Sequence, residues 1–551
     1  MTDSLALALA QINPIVGDID GNVERVRTAR AAAADADLMI GGELVLAGYP
    51  PEDLVLKRSF QDRIEAAVDA LARDTGDGGP ALLIGAPWRR GGRLYNAALL
   101  LEGGRVAGAV LKHELPNYGV FDEIRVFAPG PLPEPMPFRG ARLGVMVCED
   151  MWKPPVSRHL HERGAEILVV INGSPFDLEK WGVRRRMAQQ RVSELGLPLI
   201  YVNLVGGQDE LVFDGASFVL APDGGFCLQA PEWCAGVVPT RWRRGEAGWA
   251  CDAGVIAPRT EGLEAIYHAM VVGLRDYVGK NSFPGVVIGL SGGIDSALTA
   301  AVAVDALGPE RVRCLMMPSP YTSRISLDDA AQVAERLGVQ LDTVDITPAM
   351  AAFDTMLTDL FSGLEPDTTE ENVQARARAI VLMAVSNKFG HMLLTTGNKS
   401  EMSVGYATLY GDMSGGFSVL KDVYKTTVFA LSRWRNQTRP DGMLGPTGTV
   451  IPERIITRPP SAELKADQTD QDSLPPYEEL DAILHCLIEE DRSIADVVAA
   501  GFDAATVRRV WQMLDRAEYK RRQAPPGVKI TDRAFGRDRR YPITNRFING
   551  L

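Results

Sequence analysis

Along the first half of the chain, short unbroken apolar runs alternate with longer segments of helical period. The runs LALALA (5–10), ALLIGAP (81–87), RLGVMVCED (142–150), EILVVING (166–173) and LPLIYVNLVGG (197–207) predict strands buried on both faces. Ala- and Arg-rich stretches at 22–35 and 60–73 predict helices between them. From 222 to 262 the pattern dissolves into Gly, Pro, Trp and Arg, which reads as the closing edge of one domain followed by a linker. A second series opens with a helix at 263–279, the strand VVIGLSGG (286–293) and an Ala-rich helix at 295–307. Strands follow at VRCLMMPS (312–319), QLDTVDI (340–346) and HMLLTTGN (391–398), with helical segments between them. Such alternation predicts a doubly wound parallel sheet covered on both faces. The polar, Pro-rich stretch 432–476 reads as an irregular excursion, and 477–523 as helical, ending in Lys520-Arg521-Arg522. The expected architecture is α/β with two domains, 1–250 and 262–551, because 551 residues exceed what one core organises.

Composition narrows the partners. The chain carries 58 Lys and Arg against 71 Asp and Glu, a net charge of −13, which argues against nonspecific binding to nucleic acid or to an anionic membrane. Small anions held by local backbone N–H groups remain open. Six scattered cysteines without a C-x-x-C pair fit reduced thiols better than a disulfide framework or a zinc site. The start, MTDSLALALAQINP, has no basic n-region, and no stretch approaches a membrane span, so a soluble, cytoplasmic protein is expected.

Three unlike reactive groups stand at predicted strand ends in the first half. Glu43 follows DLMI, Lys112 follows AGAVL, and Cys148 closes RLGVMV ahead of Glu149-Asp150. In α/β folds such positions carry chemistry. These blocks, GGELVLAGYPPEDL (41–54), KHELPNYGVFDEIRVF (112–127) and the Cys148 segment, resemble the nitrilase, or carbon–nitrogen hydrolase, superfamily. The resemblance implies an α-β-β-α sandwich and a Glu-Lys-Cys triad. Amide hydrolysis needs a nucleophile, a proton carrier and an oxyanion partner. Cys148 would supply the thiolate and Glu43 the general base, then acid. Lys112 would lower the thiol pKa and face the oxyanion. Likeness to the glutaminase members implies that Tyr118, Ser174 and Lys180 bind glutamine.

The stretch GLSGGIDS (289–296) follows the apolar run 286–288 and precedes a helix. Glycine-rich strand-to-helix turns present backbone N–H groups to anions. Here Gly292 and Gly293 allow close approach and Ser291 and Ser296 add hydroxyls, but the lysine of the common nucleotide loop is missing. Asp295 would repel bare phosphate and suits a magnesium ligand beside it. S-G-G-x-D-S resembles the ATP pyrophosphatase loop, found in adenine nucleotide α-hydrolase-like domains. That resemblance implies ATP bound along Gly289, Leu290, Ser291, Gly292, Gly293, Ile294, Asp295 and Ser296, then cleaved to AMP and pyrophosphate.

Further stretches resemble the ammonia-ligase part of NAD synthetases: EENVQARAR (370–378), LLTTGNKSEMSVGYATLYGD (393–412), SVLKDVYKT (418–426), PPSAELKADQTDQDSLPPY (459–477) and ITNRF (543–547). They imply ATP contacts at Thr396, Lys425 and Ser461, and a magnesium ion shared by Asp295 and Glu401. They also imply that Asn372, Arg376, Glu401, Asp412 and Lys520 hold deamido-NAD. Ammonia-using synthetases tend to carry a lysine before Y-G-D where this chain has Leu409, so some dinucleotide contacts would come from Lys421 or a neighbouring subunit. Together the two halves resemble the glutamine-dependent NAD synthetases. This implies glutamine hydrolysis, ATP-dependent adenylation of deamido-NAD, attack by ammonia, an internal ammonia route and a homo-oligomer. Another AMP-forming amidotransferase ligase, or an amidase with a nucleotide-sensing half, stays open at this point.

Overall fold

A computed structural model describes residues 3–465, 468–545 and 547 of the chain. Ala466 and Asp467 of the stretch 459–477, and Arg546 of ITNRF, lie outside the described residues. The chain divides into two compact units, one ending at Thr260 and the other beginning at Glu261.

Two sheets build the first unit. One runs in spatial order Gly248–Cys251, Gly236–Gly245, Ser4–Gln11, Leu38–Ile40, Ala81–Arg90, Arg93–Glu102, Arg105–Leu111. The other runs Phe226–Gln229, Phe218–Leu220, Leu199–Asn203, Ile167–Asn172, Ala141–Val147, Met136–Phe138. The opening strand shows how the layers form. Leu5, Leu7 and Leu9 point into a core shared with Val145, Val169 and Val202 of the second sheet. Ala8 and Ala10 point the other way, toward Val26 and Val68 of helices Ile19–Ala32 and Arg58–Asp74. Small side chains on that face let the helices sit close, while leucines fill the space between the sheets. On the outer face of the second sheet, Val170 and Tyr201 pack with Leu160 and Val192 of helices Pro154–Glu162 and Lys180–Leu195. The result is the α-β-β-α sandwich.

The closing edge expected within 222–262 is regular strand at the rims of both sheets. This stretch supplies three strands, and Gly236–Gly245 pairs antiparallel with Ser4–Gln11 from Ser4↔Arg243 to Gln11↔Gly236. Thr240 and Trp242 are buried while Arg241 and Arg243 are exposed, the period-2 signature of a half-solvated strand.

The second unit holds a five-stranded, wholly parallel sheet in order Gln340–Thr343, Val312–Met316, Val286–Gly289, Met392–Thr395, Phe417–Ser418. Val286–Gly289 comes first in the chain yet lies centrally, so the strand order reverses there. In open α/β sheets that point opens a ligand crevice at the strands' carboxyl ends. Helix Ile294–Leu307, almost wholly buried, starts directly from this turn. Helix Thr368–Phe389 packs Val381, Leu382 and Val385 on Val287, Leu315 and Leu393. Within the basic cluster Arg521 is buried and donates to the carbonyls of Ser403 and Leu514, while Arg522 is exposed.

Candidate active sites

In the first unit, Glu43 and Lys112 are fully buried and Cys148 nearly so. Glu43 follows the strand Leu38–Ile40, in a turn that crosses Ala81–Arg90 at Gly85. A Cβ on Gly85 would lie 2.2 Å from the Leu44 nitrogen, so only glycine admits the Glu43–Leu44 backbone there. Lys112 follows Arg105–Leu111, and its Nζ donates to Oε1 of Glu43 at 2.7 Å. The same ammonium donates to Oε1 of Glu123 at 2.9 Å. Cys148 opens a 3-10 turn (Cys148–Met151) after Ala141–Val147 with φ +46°, a strained conformation for a side-chain-bearing residue. Asp150 ties the elements together: its carboxylate accepts from the backbone N–H groups of His113 (3.0 Å), Glu114 (2.8 Å) and Val147 (3.0 Å). Burial raises its pKa to about 6.

Charge in this pocket is finely opposed. Burial pushes the Cys148 thiol well above its ordinary range and Glu43 pushes it further, outweighing the opposite pull of Lys112. Both effects favour the protonated thiol. The Lys112 ammonium alone pulls the thiol pKa down. Burial alone would depress Lys112, yet Glu123, Glu43 and Cys148 hold its pKa well above the usual lysine range. Glu123 itself, raised to about 7 by burial, is a residue the sequence reading missed. It accepts from Lys112 and from the Tyr49 hydroxyl at 3.0 Å. Its only sequence signal was a carboxylate in the same stretch as Lys112.

The residues expected to hold glutamine differ in setting. Tyr118 is 51% exposed and its hydroxyl donates to Glu149 at 3.0 Å. Ser174 is buried, and its hydroxyl accepts from Arg184 Nε at 3.0 Å. Arg184 is in turn held by Asp214 at 2.7 Å, a fully buried pair the sequence did not announce. Lys180, at the start of helix Lys180–Leu195, places its Nζ 4.9 Å from the Trp152 ring centre.

In the second unit, all eight residues of 289–296 line a cavity of about 300 Å³, as do Thr396, Glu401, Asp412, Lys421, Lys425 and Ser461. Gly292 has φ +80°, and a Cβ there would lie 2.3 Å from the Ser326 carbonyl oxygen. The turn is wired internally: the Ser291 and Gly293 N–H groups donate to the hydroxyls of Ser296 and Ser291, both at 3.2 Å. Lys425 Nζ donates to Asp295 at 2.5 Å and to Glu401 at 3.0 Å. Thus the two acids expected to share magnesium converge on one cationic nitrogen. Burial raises Glu401 to about 8 despite Lys425, with Asp295 and Asp470 adding to the rise. Asn398, fully buried, donates to Asp295 at 2.8 Å and accepts the Glu401 N–H at 3.0 Å, fixing both acids. Neither Asn398 nor Asp470 was singled out from the sequence.

Asn372, Arg376 and Lys520 do not line this cavity; they surround the loop that ends at Asp412. Thr408 donates to Asn372 at 2.9 Å and Arg376 donates to the Leu409 carbonyl at 3.3 Å. Lys520 donates to the carbonyls of Gly405 (2.8 Å) and Ala407 (2.7 Å). Asp412 accepts the Thr408 N–H at 2.7 Å, and burial raises it to about 6. Leu409 packs against the helical core containing Leu484 and Leu514.

The carbon–nitrogen hydrolase family model matches residues 6–246, and the NAD synthase model matches residues 266–524. The glutamine-dependent NAD(+) synthetase of Rhodobacter capsulatus is 53% identical over 550 residues, covering 99% of each chain. That of Thermotoga maritima is 42% identical over 578 residues, covering 98% of this chain and 99% of its own. The solved glutamine-dependent NAD+ synthetase of Acinetobacter baumannii, in complex with adenosine diphosphate, superposes with a TM-score of 0.78 at 44% identity, covering 98% of each chain. This chain belongs to the glutamine-dependent NAD(+) synthetases.

Proposed function

We propose that this enzyme hydrolyses glutamine in the domain 1–250 and uses the ammonia, in the domain 262–551, to convert deamido-NAD to NAD at the cost of ATP. One observation carries the reading. The same chain holds a buried Glu43–Lys112–Cys148 group and a lysine-free anion turn beside paired acids. Glu43 takes the Cys148 proton, the sulfur adds to the glutamine carboxamide, and Lys112 faces the oxyanion. The proton then passes to the leaving nitrogen, and water clears the thioester. Tyr118, Ser174 and Lys180 orient glutamine.

In the second domain the turn 289–296 holds the ATP phosphates, with Thr396, Lys425 and Ser461 around the nucleotide. Asn372, Arg376, Glu401, Asp412 and Lys520 hold deamido-NAD. Its carboxylate attacks the α-phosphate, pyrophosphate leaves, and ammonia displaces AMP from the acyl adenylate. A free carboxylate is a poor acyl donor, which is why adenylation precedes amide formation. Asp295 and Glu401 fit a magnesium ion, because their oxygens already converge on one cationic point. The ion, when bound, offsets phosphate charge as pyrophosphate separates.

A cytoplasmic homo-oligomer completes the proposal. Met356, Leu360, Leu364, Ile380 and Phe389 are exposed large apolar side chains within 347–389, which supports association of copies. Among the described residues no helix is long and apolar enough to cross a membrane. Incubation with ATP, glutamine and deamido-NAD tests the reaction: NAD, AMP and pyrophosphate in equal amounts are expected. ADP formation, or glutamate release without NAD, would overturn it.

A further inference from the structure

Asn96 lies fully buried on the strand Arg93–Glu102. Its Nδ2 donates to Oε1 of Glu43 at 2.7 Å, the same oxygen that Lys112 Nζ reaches at 2.7 Å. Oε2 of Glu43 accepts one donor, the Gly173 N–H, at 2.8 Å. Each carboxylate oxygen offers two lone pairs in its plane. Oε1 is therefore saturated and Oε2 keeps one lone pair. The amide orientation is fixed electrostatically. Its Oδ1 has no hydrogen-bond partner, while Nδ2 also lies 3.5 Å from Glu123 Oε2, so turning the amide over would aim an oxygen at two carboxylates. The Asn96 carbonyl also accepts the Lys112 N–H at 2.8 Å, so one residue fixes the backbone of the lysine and the side chain of its partner acid.

We infer that Asn96 is a positioning residue of the glutamine-hydrolysing site: together with Lys112 it closes Oε1 of Glu43 and leaves Oε2 as the oxygen that receives the Cys148 proton. The inference rests on the proposed glutaminase role of this site. In the step, the S–H bond of Cys148 breaks and the proton moves to Oε2. The sulfur electron pair forms the C–S bond to the carboxamide carbon, and the same proton later goes to the departing nitrogen. Ammonia leaves, and Glu43 is again a carboxylate.

The test uses the full chain with Asn96→Leu and Asn96→Asp. Two readouts are the pH dependence of Cys148 alkylation by iodoacetamide and kcat and KM for glutamine hydrolysis. Facing Glu43 are Lys112, Glu123, Cys148 and Tyr49, all unchanged in both variants. A donor on a carboxylate favours its charged form. Asn96→Leu should therefore move the acid limb of alkylation to higher pH and lower kcat at least tenfold, with KM within twofold. Asp donates only when protonated, so Asn96→Asp should regain activity toward acid pH, where Asn96→Leu does not. If both variants lose rate in proportion at every pH, or neither loses it, the inference is overturned. Should Asn96→Leu fail to fold, the near-isosteric Asn96→Asp profile decides alone. A parent chain that never hydrolyses glutamine would refute the glutaminase reading and this inference with it, whereas a parent that hydrolyses glutamine and an unshifted alkylation limb in Asn96→Leu would overturn this inference alone.

Discussion

The two adjacent glycines of the anion turn are not equivalent, and that difference can be measured. At Gly292 a methyl group would sit 2.3 Å from the Ser326 oxygen and 2.9 Å from its Cα, both backbone atoms at the start of helix Arg324–Leu337. Its φ of +80° adds a conformational penalty. The left-handed backbone costs an alanine about 1–2 kcal/mol, and overpacking against rigid backbone about 1–3 kcal/mol, so Gly292→Ala should cost about 2–5 kcal/mol. At Gly293 the nearest atom to a new Cβ is the Ser291 hydroxyl oxygen at 3.3 Å, and φ is −90°. A side-chain hydroxyl can turn away, so Gly293→Ala should cost less than about 1 kcal/mol. Calorimetric unfolding of the full chain reads the contrast. At about 2–4 °C per kcal/mol for domains near this size, the Gly292→Ala transition should fall by at least about 4 °C, and Gly293→Ala by much less. ATP should raise the Gly292→Ala transition less than the parent's, because the distorted turn presents its N–H groups poorly. Equal shifts for the two variants, or a Gly292→Ala transition within 1 °C of the parent, would refute the steric argument.

Removing Lys425 leaves Asp295 and Glu401 facing each other in a buried site. Lys425→Met should therefore lower stability by about 3–5 kcal/mol and reduce ammonium-driven NAD synthesis at least a hundredfold, measured by NAD formation at saturating ammonium. Glu123 carries a pH signature. Its carboxyl is raised from the ordinary value near 4.5 to about 7, so the folded state binds its proton more tightly than the unfolded chain does. That stabilisation is complete below about 4.5 and lost as pH rises through about 7, with a ceiling of about 3 kcal/mol. Glu123→Gln should flatten the dependence of the unfolding midpoint between pH 5 and 7; an unchanged slope would contradict the assignment.

Where both faces of a strand are buried, the sequence announced it. Leucine and alanine alternate at 5–10 because one face meets the other sheet and the other meets helices. The strand Gly236–Gly245 was illegible by the same measure, since Arg241 and Arg243 interrupt it on the solvent side. Glu43, Lys112 and Cys148 stood out because each ends an apolar run. Asn96 and Glu123 did not, since a lone Asn within a strand and a Glu in a short 3-10 turn carry no period or motif. The Lys425 bridge was hidden for another reason. It joins positions 130 and 24 residues apart in sequence, so only folding places the ammonium between the two acids. At 520–522 three adjacent basic residues look alike in sequence, yet packing buries Arg521 against backbone carbonyls and leaves Arg522 exposed.

If one chain makes ammonia at Cys148 and spends it at a separate ATP-dependent site, loss of the thiol should separate the two nitrogen sources. Cys148→Ala, supplied with ATP and deamido-NAD and with either amide-¹⁵N glutamine or ¹⁵N ammonium, tests it most directly. No labelled NAD is expected from glutamine, and labelled NAD from ammonium at close to the parent rate. Loss of both to the same extent, or labelled NAD from glutamine without the thiol, would contradict it.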